Sequence, residues 1–281
     1  MQRSLRIVLV VSLICAALAS HAYRLAFKDT AGATRTYNNA INLTGSVQAM
    51  GLNVPVTGTV NFVMSETVNS VTTGSANITT QIQNGMANVT LSGLPGDEGA
   101  QTINEPIPPI TITYDRTPLG AISNVKVTGQ QAVLPGLPSE LLTNLQTPGQ
   151  GIAFPNRDIA AGESWTGQQN LQLGQGGSAA VSITNKLVGP LTMGGRNLIQ
   201  IDSTMTANVA NLTVNMGDPG QSAAIPVNVK LNGTGTTLFD PQAGVIYSMK
   251  SQYTVNATVS GLGDAGTITM NLTLNGTTTL Q

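Results

Sequence analysis

Cysteine and histidine occur once each in the 281 residues, as Cys15 and His21. Both lie in the N-terminal stretch, so a chain that sheds it keeps neither. That excludes a disulfide framework, a Cys nucleophile, a Ser-His-Asp triad and the usual zinc sites. Charge is scarce too, with Asp, Glu, Lys and Arg making up 9% of the chain. Long helices need Glu, Lys and Ala on their wet face, whereas the polar residues here are Thr, Asn, Ser, Gln and Gly, which favour strands and turns. Aromatics are 4%, with one Trp. That is thin for a sugar-stacking cleft and for the aromatic girdles of an outer-membrane barrel, whose strands would also alternate. The sparse, unclustered charge gives no footprint for nucleic acid or an anionic membrane surface.

The first residues have the layout of a secretory signal. Arg3 and Arg6 precede a thirteen-residue apolar core, Ile7 to Ala19, and Ser20-His21-Ala22 offers small residues at −3 and −1. Cleavage is expected after Ala22, with cleavage after Ala19 as the alternative. The core is short for a membrane span, which needs about 20 apolar residues, and Ile14 before Cys15 does not suit lipidation. Nothing further along could span as a helix. The expected product is exported, periplasmic or extracellular, with ten basic residues against thirteen acids. It retains about 259 residues, enough to bury a core without staples.

Period-two alternation dominates the rest. Val245, Tyr247, Met249, Tyr253, Val255, Ala257 and Val259 share one face, with Ser248, Lys250, Gln252, Thr254 and Asn256 on the other. Ile268, Met270, Leu272 and Leu274 alternate in the same way after a turn at 261–266. Asp240-Pro-Gln-Ala-Gly244 turns into Val245 from a strand that begins near Val227. In the first half, Ile41, Leu43 and Val47 alternate, then Val54, Val56, Val60, Phe62 and Met64. Asn84-Gly85 carries a hairpin signal. From Ile199 to Val209 the apolar set is odd-numbered and from Leu212 to Met216 even-numbered, which predicts a bulge near Ala210-Asn211. Glu105-Pro-Ile-Pro-Pro109 should run extended into Ile110 to Tyr114.

The expected fold is all-β: two related antiparallel meander halves forming curved or packed sheets, with one short helix in the connector. The units are a signal at 1–22, a first β unit at 23–134, a Pro/Gly-rich connector at 135–151 and a second β unit at 152–281. Ser139 would cap the short helix carrying Leu141, Leu142 and Leu145. The relation between the halves rests on Ala26-Phe27 against Ala153-Phe154, and on Gly32-Ala-Thr-Arg-Thr36 against Gly162-Glu-Ser-Trp-Thr166. Tyr114-Asp115 with Gly120 also echoes Phe239-Asp240 with Gly244.

Candidate chemistry is sparse. Two carboxylates roughly 5–10 Å apart suffice for glycoside hydrolysis, and Asp97, Glu98, Glu105, Asp158 and Glu163 are available, but no spacing singles out a pair. Asp97-Glu98 lacks the ladder of acids a calcium site needs, so neither metal nor cofactor is expected. Trp165 is either a stacking platform or a buried anchor at a strand start. Met64, Met205, Met249 and Met270 fall on apolar faces, where methionine fills a core or lines an adaptable groove. Trp165, Met249 and Tyr253 are the candidate ligand-binding residues.

Gly162-Glu163-Ser164-Trp165, following Phe154-Pro155, resembles a strand start in secreted bacterial β-rich families of unknown function. An Asp-x-x-x-Gly-x-Ile turn, here Asp240 to Ile246, accompanies it. The resemblance implies an envelope or extracellular β-domain and assigns no site residues. In architecture alone the chain is similar to periplasmic carriers that hold lipid on a curved antiparallel sheet. The expectation is a non-enzymatic exported protein that binds a hydrophobic small molecule, a lipid or an envelope protein. A structural or adhesive surface module and a carboxylate glycosidase are the alternatives.

Overall fold

The computed structural model describes residues 22–93, 99–129, 152–172, 178–216, 223–260 and 266–281. Among them there is no helix. The expected helix at Ser139, the connector at 135–151, the signal up to His21, and Asp97-Glu98 lie outside the described residues.

A first meander contains β2 (Thr34–Ala49), β3 (Leu52–Val71), β4 (Ala76–Ser92), β5 (Ala100–Ile107), β6 (Ile110–Arg116) and β7 (Ile122–Gly129). A second contains β9 (Ser164–Gln172), β10 (Ser178–Met193), β11 (Arg196–Met216), β12 (Ala223–Asp240), β13 (Val245–Val259) and β14 (Ile268–Leu280). The two are one sheet of twelve strands, in the order β7-β6-β4-β3-β2-β14-β13-β12-β11-β10-β9, with β5 also on β4. The seam is an antiparallel ladder from Thr269↔Gln48 to Leu280↔Tyr37. Every ladder is antiparallel, including the small ribbon of β1 (Ala22–Tyr23) with β8 (Ile159–Ala160).

Alternation sends the apolar residues to one face, and that face is buried. Val68, Ile78, Val181, Leu231 and Val255 belong to one continuous core that draws on both meanders. Among the described residues no helix layer or second large sheet covers it. Twisted sheets of more than about ten strands curl, and here the curl lets the sheet cover its own apolar face. Thr, Asn, Gln and Lys remain outside.

Register shifts bend these long strands. The one expected near Ala210-Asn211 falls between Val209 and Leu212. Asn84-Gly85 is not a hairpin: β4 runs straight through it. Val63 pairs with Gln83 and Asn61 with Met86, so two residues oppose Phe62. Asn84 takes a left-handed φ of 51°, and a Cβ on Gly85 would lie 2.6 Å from Ile107 Cβ, so Asn-Gly builds a bulge instead of a turn. At the same place the outer neighbour of β4 changes from β6 to β5, and Pro108-Pro109 separates the two. The single face assigned to Val245 through Val259 also needs correction. Thr237 pairs with Met249, but Phe239 pairs with Ile246, so the ladder slips and Ile246, not Tyr247, enters the core.

Candidate ligand-binding face

One end of the sheet is closed by chain that crosses it. Residues before β2 and before β9 bring Phe27 and Phe154 together, with ring centroids 5.5 Å apart. Phe239 packs on both, at 5.5 and 5.0 Å. The β6–β7 and β12–β13 turns hold them in place: Phe27 N donates to Pro118 O (2.7 Å), Phe154 N to Leu119 O (2.7 Å) and Lys28 N to Gly244 O (3.1 Å). Gly120 is needed at its place, because a Cβ there would lie 2.2 Å from Ile152 O.

Trp165 belongs to this plug. Its indole Nε1 donates to Ala153 O at 2.7 Å, and its ring packs beside Phe154. At 7% exposed it is an anchor for the crossing segment and presents no stacking surface. Glu163 serves the turn before it: Oε2 accepts from Ala160 N at 3.0 Å, and Arg157 pairs with the other oxygen. The Ala160 amide and Arg157 hold its carboxyl below the usual range. Asp158 and Glu105 are exposed on separate elements.

Next to the plug lies a group of charges set into the apolar alternation. Glu66 interrupts the series Phe62, Met64, Val68, and Arg116 ends the series Ile112, Tyr114. Arg116 grips two carboxylates. Its Nη1 and Nη2 donate to Glu66 at 3.2 and 3.0 Å, and its Nε and Nη2 donate to Asp29 at 3.1 and 2.7 Å. Arg35 Nη1 bridges the same acids at 3.0 and 2.7 Å, and Tyr114 Oη donates to Glu66 Oε2 at 3.0 Å. Two acids and two bases balance, so no net charge is buried. Burial alone would raise the Asp29 pKa, but Arg116 and then Arg35 outweigh it and hold the carboxyl below its ordinary value. Arg116 also stands 4.5 Å over the Phe27 ring, joining charges to plug. With all four charges engaged on one another, this cluster is a clasp that ties the crossing segment at Asp29 to β2, β3 and β6.

The open chemistry is on the interior face of the second meander. A cavity of about 50 Å³ is lined there by Ile152, Ile183, Met205, Met249, Tyr253 and Ser251, with Gly233 and Gly235 in its floor. Two of the three candidates, Met249 and Tyr253, meet in it, while Trp165 does not line it. The glycines explain why it exists. Reading across the ladders, Thr80 pairs with Ile112 and Ile82 with Ile110 in the first meander; at the matching rungs of the second, Ser203 pairs with Gly235 and Met205 with Gly233. Where the first meander has Ile110 the Tyr253 ring lies over Gly233, 2.4 Å from the place of a Cβ, and where it has Ile112 the second has only the backbone of Gly235. Burial raises the Tyr253 phenol above its ordinary pKa, with the Ser251 hydroxyl working the other way. Ser251 Oγ is buried without a hydrogen bond of normal length and angle, and the Tyr253 hydroxyl is the neighbour on which it acts.

The fold and the cavity together define a class, an all-antiparallel protein whose single curled sheet encloses its apolar face. No protein family matches the chain, and neither does any curated protein sequence. Among solved structures, one described as lipid–protein interactions in lipovitellin is similar over 90% of this chain, at 11% identity and a TM-score of 0.46. The chain spans 25% of that structure's chain.

Proposed function

We propose that the protein is an exported, non-enzymatic carrier that holds a hydrophobic ligand against the interior face of its second meander. The observation that carries the reading is the cavity between Ile183, Met205, Met249 and Tyr253. Its walls are mostly apolar, and at about 50 Å³, against roughly 300–1,000 Å³ for a drug-sized ligand site, it takes a ligand only as the flexible Met205 and Met249 side chains move aside. The test is detergent-free purification of the full chain, titration with Nile red, and mass spectrometry of an organic extract. Saturable binding near one dye per chain is expected. A folded protein that neither binds the dye saturably nor yields an apolar compound would end the carrier reading.

Export rests on the charged, apolar and small-residue pattern of the first 22 residues, and the Gly162–Trp165 strand start supports an envelope address. Ala22 pairs with Ala160 in the β1–β8 ribbon, so cleavage after Ala19 leaves that ribbon whole and cleavage after Ala22 shortens it. N-terminal sequencing of the secreted product should begin at Ser20 or Tyr23. An intact Met1 in the cytoplasmic fraction would overturn export.

The two meanders are read as copies of one ancestral unit. Their strand order supports this, and so do register shifts on matching rungs, between Val68 and Ser70 in one and Leu187 and Gly189 in the other. One observation favours the structural or adhesive reading as the second choice. β7 pairs only with β6 among the described residues, and it exposes Val125 at 46% and Val127 at 43%, a free apolar edge that could add strands. Concentration-independent monomer in sedimentation would remove that reading.

A further inference from the structure

Among the described residues, three positions other than glycine take a left-handed φ: Asn84 at 51°, Asn124 at 54° and Met50 at 51°. Asparagine tolerates that region, whereas the Cβ of a bulkier residue crowds the neighbouring carbonyl. Met50 and Gly51, at 51° and 77°, form the two-residue turn between the paired Ala49 and Leu52. A turn with both central residues left-handed is built best by Asn-Gly, so Met-Gly forgoes stability there. Packing recovers little of it, because Met50 is 73% exposed. Leu52 carries the apolar face of Val54 and Val56 to the tip and is 43% exposed. The hairpin also stands clear of its neighbours. β14 last pairs with β2 at Gln48 and β4 last pairs with β3 at Val56, so Ala49 and Leu52 pair only with each other. Exposed apolar side chains scattered singly are ordinary. One held in a costly conformation on a projecting tip points to a role outside the fold.

Size and charge decide what the tip meets. A protein partner needs about 800 Å² from each side, and two side chains on a turn supply a small part of that. A bilayer needs no matching surface and takes up apolar side chains at its headgroup–acyl boundary. From Tyr37 to Ser65 the chain carries no charged residue, so no ion of the hairpin is desolvated as its tip enters. The hairpin offers no cation to anionic headgroups either, and acids outnumber bases in the whole chain. We propose that the Met50–Leu52 turn inserts into the apolar margin of a lipid bilayer with zwitterionic headgroups. Arg35 in the clasp and Ala49 at the turn lie at opposite ends of β2, roughly 48 Å apart along the strand, which leaves the plugged end in water. The inference goes beyond the carrier reading and does not depend on the cavity.

The experiment is oxidation of the full chain by dilute hydrogen peroxide, with and without phosphatidylcholine vesicles, read at each methionine by peptide mass spectrometry. Met86 and Met193, 44% and 49% exposed, are internal controls on other parts of the surface. At about 10 mM lipid, oxidation of Met50 should slow about tenfold, a partition constant near ~10³ M⁻¹ and so weaker than the roughly 10⁴ M⁻¹ of a myristoyl chain. Met86 and Met193 should react as before. Met50→Asn should raise the denaturant midpoint, because asparagine suits the turn, and should lower vesicle partition about tenfold. Replacing about a third of the lipid by phosphatidylserine should not strengthen binding. Equal oxidation of Met50 with and without vesicles overturns the inference. Slowing of all three methionines, or a requirement for phosphatidylserine, has the same force, since the contact would then run through another surface. So has an unchanged partition in Met50→Asn, or a lowered midpoint, which would show Met50 packing within the fold. The wild-type oxidation pattern decides the matter even if the variant fails to fold. Nile red binding is measured separately, so this inference and the carrier reading fail independently.

Discussion

Where the first meander pairs Arg35 with Glu66, the second pairs Trp165 with Asn185. The contrast continues one strand further on: Ala76 faces Arg116 on β6, while Ile199 faces Phe239 on β12. One frame is thus closed at the same end by two chemistries. The first meander uses an ionic clasp, in which each charge depends on the others; the second uses rings, whose contribution depends on shape. A third difference follows along β6 and β12, where Ile110 and Ile112 stand against Gly233 and Gly235. Beneath its clasp the first meander carries two isoleucine side chains, and beneath its rings the second has the Tyr253 ring over Gly233 and a small cavity at Gly235. Both halves thus fix the chain crossing, one by charges and one by rings, and only the second has a cavity beside that closure among those described.

The largest effect should come from breaking the clasp. Arg116→Leu leaves Asp29 and Glu66 buried around one remaining cation, Arg35, and should cost about 3–5 kcal/mol in denaturant unfolding. Asn185→Leu, at the matching neutral place of the Glu66 position, should cost less, about 1–3 kcal/mol, by unpairing the Ser203 hydroxyl. Equal costs would show that the two ends are energetically alike and dissolve the comparison. Hollowing the half that carries the isoleucines comes next. Ile112→Ala should cost about 2–5 kcal/mol, whereas Gly235→Val in the half with the cavity should change stability by no more than about 1 kcal/mol. A Cβ added to Gly235 would meet Lys250 O at 3.3 Å, a tight contact that a small backbone shift relieves, and Gly235 borders the cavity that would receive the methyl groups. A severe loss in Gly235→Val would mean the cavity is not free volume.

Much of this division could be read from the residues, and the failures have physical causes. Alternation located the strands because one face is wet and the other buried, and the change of parity after Val209 announced its bulge. The same parity change occurs around Asn84, from Ile78 and Ile82 to Ala87 and Val89. There the local turn preference of Asn-Gly masked it, since a bulge and a tight turn use the same left-handed backbone. Glu66 and Arg116 stood inside apolar series and so could have been recognised as interior charges. Asp29 could not, because it reaches them through a crossing segment that no periodicity describes. Met249 and Tyr253 were legible as interior residues. The cavity they line depends on glycines across the ladder, and a strand read by itself does not reveal its neighbours.

Acid should distinguish the two ends more gently. The matching neutral places, Trp165, Asn185 and Phe239, do not titrate, while Asp29 in the clasp has a folded pKa below its ordinary value of 3.8. A carboxylate held low in the folded state stabilises above its unfolded pKa, and the contribution drains away as pH falls from there through the folded value. Asp115 and Glu163, also held low by hydrogen bonds, add an acid limb that every variant shares. Asp29→Asn should therefore be less stable than wild type at pH 7, with the gap narrowing only below about pH 4. Denaturant midpoints measured from pH 7 down to about pH 2.5 give the two curves. If they run parallel throughout, the Arg116 and Arg35 contacts do not depend on the Asp29 charge, and the clasp is held by Glu66 alone.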